Sequence, residues 1–295
     1  MKYIAIALKP KVTEELTKIL PSLCKWLIKK NKGILFWDQD KKRVAQLLGK
    51  IPKNVTFIGI DSFHKSSDLI ITLGGDGTLI GICRKVTKSS PPIFGVNLGR
   101  LGFISEFTIL DFLPNLDRTL KFDYKVSRFK LFKAIIFRKE KILFSSAFIN
   151  DAVINKNDIS RLFTLSVTTR SEPVYNLSGD GLIISSPLGS TAYSMAAGGP
   201  IINPSIDALV LTPICPHSLT YRPLVIPGNL PVFIKNYSST GSITLTLDGQ
   251  ETFELSHSDT IKVIKFRNLS AKVITNPSKT YFNKLKEKLK HGSSN

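Results

Sequence analysis

A chain of 295 residues is long enough to bury a full core and is expected to fold as two domains. With 41 Lys+Arg against 22 Asp+Glu, its formal net charge of +19 either draws polyanions, whether nucleotide, nucleic acid or membrane surface, or simply solvates the surface. Cys24, Cys83 and Cys215 lack metal-ligand spacing and suggest no zinc or iron–sulfur centre, and no apolar run reaches membrane-spanning length, so the sequence implies buried thiols in a soluble, cytoplasmic protein.

Tyr3 to Leu8 reads as a buried first strand, after which Leu16, Ile19, Leu20, Leu23, Trp26 and Leu27 recur at helical spacing. Pro21 falls inside that helix and is expected to kink or split it. Ile34 to Trp37, Val55 to Ile60, Leu69 to Leu73 and Ile93 to Val96 are short apolar runs that alternate with helical segments such as Lys41 to Leu48. Such alternation implies an open, mostly parallel α/β sheet whose ligands sit beyond the carboxyl ends of the strands.

That position is taken by Gly74-Gly75-Asp76-Gly77-Thr78, between the strand ending at Leu73 and a helix expected over Thr78 to Lys88. Its glycines let backbone approach a ligand, and the N–H groups of a helix start suit an anion. Asp76 repels phosphate unless it takes a proton, holds a metal or accepts a hydroxyl hydrogen. No Walker A sequence is present. A second glycine cluster, Gly95 to Phe103, follows the next strand and is expected beside the first, with Arg100 a candidate phosphate contact.

Near residue 121 the alternation gives way to strands: Phe129 to Arg138, Ile142 to Ile154, then Phe163, Leu165 and Val167 alternating with Thr164, Ser166 and Thr168. Val232 to Lys235, Ile243 to Leu247, Ile261 to Phe266 and Lys272 to Thr275 continue the pattern, so this part is expected to be mainly antiparallel β. The tail sets Tyr281, Phe282, Leu285 and Leu289 on one helical face, expected to return to the first domain. The domains then cover 1–120, completed by 276–295, and 121–275.

Asn150-Asp151 is expected to end a strand and suits ribose hydroxyls or an adenine edge, although such a dipeptide is also ordinary turn chemistry. Ser178 to Pro200 reads as turn, strand, turn, helix and glycine stop. Its small hydroxyl residues can cap the helix or face a base or phosphate, and Tyr193 can pack on a nucleoside. Pro213 to Leu219 carries Cys215 and His217, and Leu247-Asp248-Gly249-Gln250 is first a hairpin turn.

Together these stretches resemble the NAD kinase family over about residues 1 to 285. The likeness rests on Gly74 to Thr78, Asn97 to Phe103, Asn150-Asp151, Asp180-Gly181, Ser190 to Ser194, Gly198-Gly199-Pro200 and Pro216-His217-Ser218 with Arg222-Pro223. The resemblance implies ATP-dependent phosphorylation of the 2′-hydroxyl of the adenosine ribose of NAD, a divalent metal (Mg2+), and a homo-oligomer, dimer or tetramer; the sequence itself shows no nucleic-acid reading motif and no spanning run, so no nucleic-acid or membrane partner is expected. The resemblance also implies Asp76 as proton acceptor for that hydroxyl, and contacts to the dinucleotide from Gly77, Asn150, Asp151, Asp180, Thr191, Ala192, Tyr193, Ser194, Met195, Ala196 and Gln250. Arg161, Leu188 and Cys215 are weaker positional matches. Ser178 stands where the family commonly has a basic residue, and Leu188 where it has a hydroxyl. The competing readings are a non-catalytic dinucleotide sensor and a lipid or sugar kinase sharing the glycine turn.

Overall fold

The computed structural model describes residues 1–99, 102–157, 163–170, 172–218, 220–237 and 243–289. It divides into two compact units, Met1–Arg128 with Ser270–Asn295, and Phe129–Leu269.

In the first unit, β1 (Tyr3–Leu8), α1 (Glu14–Lys29), β2 (Gly33–Trp37), α2 (Lys41–Leu48), β3 (Val55–Ile58), α3 (Ile60–Phe63), β4 (Leu69–Gly74), α4 (Asp76–Cys83), β5 (Ile93–Asn97), β6 (Phe107–Thr108) and α5 (Phe112–Leu120) follow one another. The strands lie in the order β3-β2-β1-β4-β5 and every pair is parallel. All of β4 and β5 is buried, as expected where helices cover both faces of a parallel sheet. The strand order reverses between β1 and β4, the switch point at which such sheets bind ligands.

Helix α1 runs unbroken through Pro21, so of the expected kink or split the split does not occur. Leu16, Ile19, Leu20, Leu23 and Leu27 are buried, each worth roughly 1.5–3 kcal/mol, which outweighs the roughly 3 kcal/mol an interior proline costs. Helix α4 begins at Asp76 because Gly75 occupies the cap position, and it stops at Cys83, short of the expected Lys88; beyond it the Thr87 N–H donates to Ser90 Oγ at 2.8 Å in a tight turn.

The second unit contains β7 (Val126–Arg138), which enters from the first, then β8 (Lys141–Phe148), β9 (Asp151–Lys156), β10 (Thr164–Thr169), β11 (Glu172–Ser178), β12 (Gly181–Ser185), α6 (Tyr193–Ala196), β13 (Ala208–Ile214), β14 (Leu224–Pro227), β15 (Val232–Asn236), β16 (Ile243–Leu247), β17 (Glu251–Leu255) and β18 (Thr260–Ile274), which leaves it. One antiparallel sheet has the order β14-β13-β12-β9-β16-β17; in the other, β11, β10, β15 and β18 are neighbours, with β7 pairing β18 and β8. Their inward residues, among them Phe132, Leu165 and Ile234 from one sheet and Ile154, Ile184 and Leu245 from the other, share one apolar core.

Three expected strands are corrected here. Ile142 to Ile154 breaks at Ile149-Asn150 into β8 and β9, whereas Ile261 to Phe266 and Lys272 to Thr275 form one continuous β18. The last helix, α7 (Tyr281–Leu289), belongs to the first unit. It buries Leu285, but Phe282 is 72% exposed and leaves the expected apolar face. Among the thiols, Cys24 and Cys83 are buried, and burial pushes Cys24 up to about 12; Cys215 is exposed, contrary to expectation.

Candidate active site

In the first unit the two glycine clusters meet. Strands β4 and β5 end side by side, with Gly74 paired to Asn97 and the Leu98 N–H donating to the Gly74 carbonyl at 3.2 Å. The chain then turns, and the Asn97 side-chain carbonyl accepts the Gly99 N–H at 2.9 Å. Arg100 lies outside the described residues.

The second cluster ends by wrapping the Asp76 carboxylate. Oδ2 accepts the Phe103 N–H at 2.8 Å, and Oδ1 accepts those of Ile104 and Ser105 at 3.3 and 2.9 Å. A Cβ on Gly102 would lie 1.9 Å from Oδ1 and 2.4 Å from Cγ, so only glycine lets the loop close over the acid. A carboxylate offers about four acceptor positions; the arrangement leaves room on Oδ2 for a ligand hydroxyl. Gly77 is exposed in the first turn of α4, whose positive dipole end suits a phosphate.

In the second unit the break between β8 and β9 has a distant cause. Asp248, at φ +52 in the β16–β17 turn, accepts the N–H groups of Ile149, Asn150 and Asp151 at 3.0, 2.7 and 3.1 Å, while its own N–H donates to the Asp151 carbonyl at 2.9 Å. The Asn150 carbonyl takes the Ser186 N–H at 2.8 Å. Gly189 packs so closely there that a Cβ would come within 2.2 Å of the Asn150 carbonyl oxygen. Asn150-Asp151 therefore opens a strand rather than ending one, and it is gripped from two loops.

That grip leaves two acceptors looking for donors. Asn150 Oδ1 is buried without a hydrogen-bond partner. Asp151 is 5% exposed, and burial, then the neighbouring Asp248 charge, pushes its carboxyl up to about 7. Placing such groups in a core is costly unless a ligand completes them.

The hydroxyl-rich segment lies against the same end of the sheet. Ser190 Oγ donates to the Pro187 carbonyl at 2.7 Å and accepts the Ile202 N–H at 2.9 Å, and buried Ser194 shares a 2.9 Å hydrogen bond with Thr212. Both serines are structural. Leu188, Thr191, Ala192 and Met195 are half-buried, Ala196 is exposed, and Tyr193 is 47% exposed, leaving its ring open to a nucleoside. Gln250 is exposed at the end of the turn that carries Asp248.

Asp180 and Cys215 are not part of this group. In the β9–β12 ladder Ser185 pairs with Asp151 and Gly181 with Asn155, which puts the Asp180 end on the order of 15 Å from the Asp151 end. There Asp180 Oδ1 meets Lys156 Nζ at 2.8 Å, and the Asp180 N–H donates to the Ile214 carbonyl next to Cys215. Arg161 is outside the described residues. The structural role of Asp248 was missed by sequence reasoning; a turn aspartate carries no mark of what it binds.

Residues 4–124 match the family model of the ATP-NAD kinase N-terminal domain, and residues 149–275 that of the ATP-NAD kinase C-terminal domain. The chain belongs to the ATP-NAD kinase family. An NAD kinase of Geotalea daltonii is 42% identical over 232 residues, 79% of this chain and 81% of the relative. The fold is that of solved ATP-NAD kinase relatives. Yeast NADH kinase, in a crystal structure complexed with NADH, superposes with a TM-score of 0.90 at 25% identity, over 100% of this chain and 89% of that one. For an NAD kinase from Archaeoglobus fulgidus in complex with ATP the TM-score is 0.71 at 21% identity, covering 98% of each chain.

Among the described residues no group of three or more His, Cys, Asp or Glu is placed to hold a metal ion. Nor is any described helix long and apolar enough to cross a membrane.

Proposed function

We propose that the chain is an NAD kinase, transferring the terminal phosphate of ATP to the 2′-hydroxyl of the adenosine ribose of NAD to make NADP. Family membership supports the reaction. The observation that carries the reading is the Asn150-Asp151 pair: a buried amide oxygen without a donor, beside a buried carboxyl that Asp248 holds in place but does not neutralise. Hydroxyl and amino groups of a nucleoside supply the missing donors. A silent sensor would need this pair but not Asp76, whose carboxylate is shaped by three backbone N–H groups.

In this reading Asp76 accepts the hydrogen of the reacting hydroxyl and fixes its direction, and the turn at Gly77 faces phosphate. Because phosphoryl transfer has a loose transition state, positioning contributes more than proton removal. Tyr193 packs on the nucleoside, with Leu188, Thr191, Ala192, Ser194, Met195, Ala196 and Gln250 shaping the same end of the sheet. The donor set suits a Mg2+ ion carried mainly on nucleotide phosphates, which asks for a protein carboxylate or two rather than a cage; bound, it neutralises phosphate charge. The free thiols support a cytoplasmic location.

The test is NADP formation from NAD, ATP and magnesium, read through an NADP-specific dehydrogenase, with Asp76→Asn alongside. Wild type should be active, and the variant should lose most turnover while still binding NAD. A folded variant with wild-type turnover would reject the role given to Asp76.

The separation of Asp180 and Cys215 from Asp151 supports a homo-oligomer in which one copy's Asp180 end completes another copy's site. Asp76→Ala and Asp180→Ala proteins should each be nearly inactive. Reassembled at random from equal amounts, they should recover about a quarter of wild-type activity, since about half of the dimers are mixed and each of these rebuilds one of its two sites. A mixture no better than its parents would place the whole site in one chain.

A further inference from the structure

The C-terminal helix grips the loop that holds Asp76. Lys284 Nζ donates to Glu106 Oε1 at 2.7 Å and to the Phe103 carbonyl at 3.3 Å. The pair is well buried, with side-chain exposures of 13% for Lys284 and 6% for Glu106. Glu106 Oε2 accepts the Asn276 N–H at 2.7 Å, and the Glu106 carbonyl accepts Lys279 Nζ at 2.7 Å.

The Phe103 carbonyl and the Ile104 N–H belong to one peptide group. Lys284 binds its oxygen, and its N–H donates to Asp76 Oδ1. A cation on the oxygen of a peptide polarises it and strengthens the hydrogen bond its N–H gives, by about 10–30% per link. The peptide on the other side of Phe103 donates to Oδ2. Lys284 therefore acts on the orientation of the acid without touching it, and Glu106 holds the ammonium in place.

We propose that Lys284 is a positioning residue for phosphoryl transfer, fixing the Phe103–Ser105 loop that aims the Asp76 carboxylate. This role rests on the kinase reading. Lys279, in contrast, ties the same segment through Glu106 alone and has no contact with the Phe103 carbonyl, so it serves as the structural control.

The experiment measures kcat, KM for NAD and ATP, and melting temperature for Lys284→Met, for the neutral pair Glu106→Gln with Lys284→Gln, and for Lys279→Met. Lys284→Met strands a buried carboxylate and can unfold the tail; the double amide removes both charges and keeps the test alive. Both Lys284 variants should lose about tenfold in kcat with KM changed by less than about threefold, the mark of an interaction used in the transition state. Lys279→Met should lower the melting temperature and leave kcat near wild type. On an Asp76→Asn background, Lys284→Met should cost less than about threefold, because the group it positions is gone. Unchanged kcat in both Lys284 variants, or an equal kcat loss in Lys279→Met, would overturn the role. Wild type that makes no NADP would instead remove the kinase reading beneath it.

Discussion

Gly102→Ala should abolish most NADP formation while the protein still folds. The added methyl would lie 1.9 Å from Asp76 Oδ1, 2.4 Å from Cγ and 2.7 Å from Oδ2. Asp76 has a short side chain tied to the N–H groups of Phe103, Ile104 and Ser105, the residues that directly follow the substitution. Neither partner can step aside without breaking those bonds, each worth roughly 1.5–3 kcal/mol to a charged acceptor. Displacing a reacting group by about 1 Å costs on the order of 100-fold in rate, so kcat should fall at least that far. Adding Asp76→Ala to Gly102→Ala should cost little more, since the carboxylate has already left its position. Steady-state NADP formation with the melting temperature measured in parallel decides it; a well-folded Gly102→Ala protein with near-normal kcat would show that the loop over Asp76 has no part in catalysis.

The parallel sheet and its glycine turn were legible because their causes are local. A buried apolar run, glycines and a helix start stand in one continuous stretch, and β4, the turn and α4 follow that order. The failures have remote causes. Asn150-Asp151 has the residue types of a turn, but what fixes the break there, the Asp248 carboxylate, is 98 residues away in the chain. Ile261 to Phe266 and Lys272 to Thr275 read as two strands, yet Asn268 takes φ +60 within one continuous β18. Pro21 was judged by its local cost, whereas the helix around it is decided by burial against the sheet.

The site was legible as residue types and not as distances. Asp180 and Ser186 flank the same short strand and read as a single motif, but an extended strand carries its ends apart, and the ladder puts Asp180 with Lys156 and Cys215, away from Asp151. Glycines 102 and 189 could be read as permissive turn residues. Their actual work is to let Asp76 and the Asn150 backbone come within contact distance of a loop, a property set by what faces them.

Asp151→Asn should make the protein more stable above neutral pH and a poorer binder of NAD. Burial and the Asp248 charge push the Asp151 carboxyl up to about 7 from 3.8, so between these values the folded chain keeps a proton that the unfolded chain has released. The stability contributed by the neutral acid is complete below about pH 4 and is lost as pH rises through about 7, a change on the order of 4 kcal/mol. Asparagine stays neutral, so denaturation midpoints of variant and wild type should converge near pH 4 and separate in the variant's favour as pH rises to 8. NAD binding should run the other way. A hydroxyl donating to an ionised carboxylate contributes roughly 1.5–3 kcal/mol, which the amide largely forfeits, raising the NAD dissociation constant by about 10- to 100-fold. The same donation favours the ionised form, so wild type should release protons on binding NAD near pH 6.5, seen calorimetrically as a heat that depends on the buffer's ionisation enthalpy. Asp151→Asn should show no such dependence. If the variant binds NAD as tightly as wild type, with the same buffer dependence, the buried acid is a folding defect and not a ligand contact; if it binds weakly and is more stable, Asp151 is kept at the expense of stability because the dinucleotide needs it.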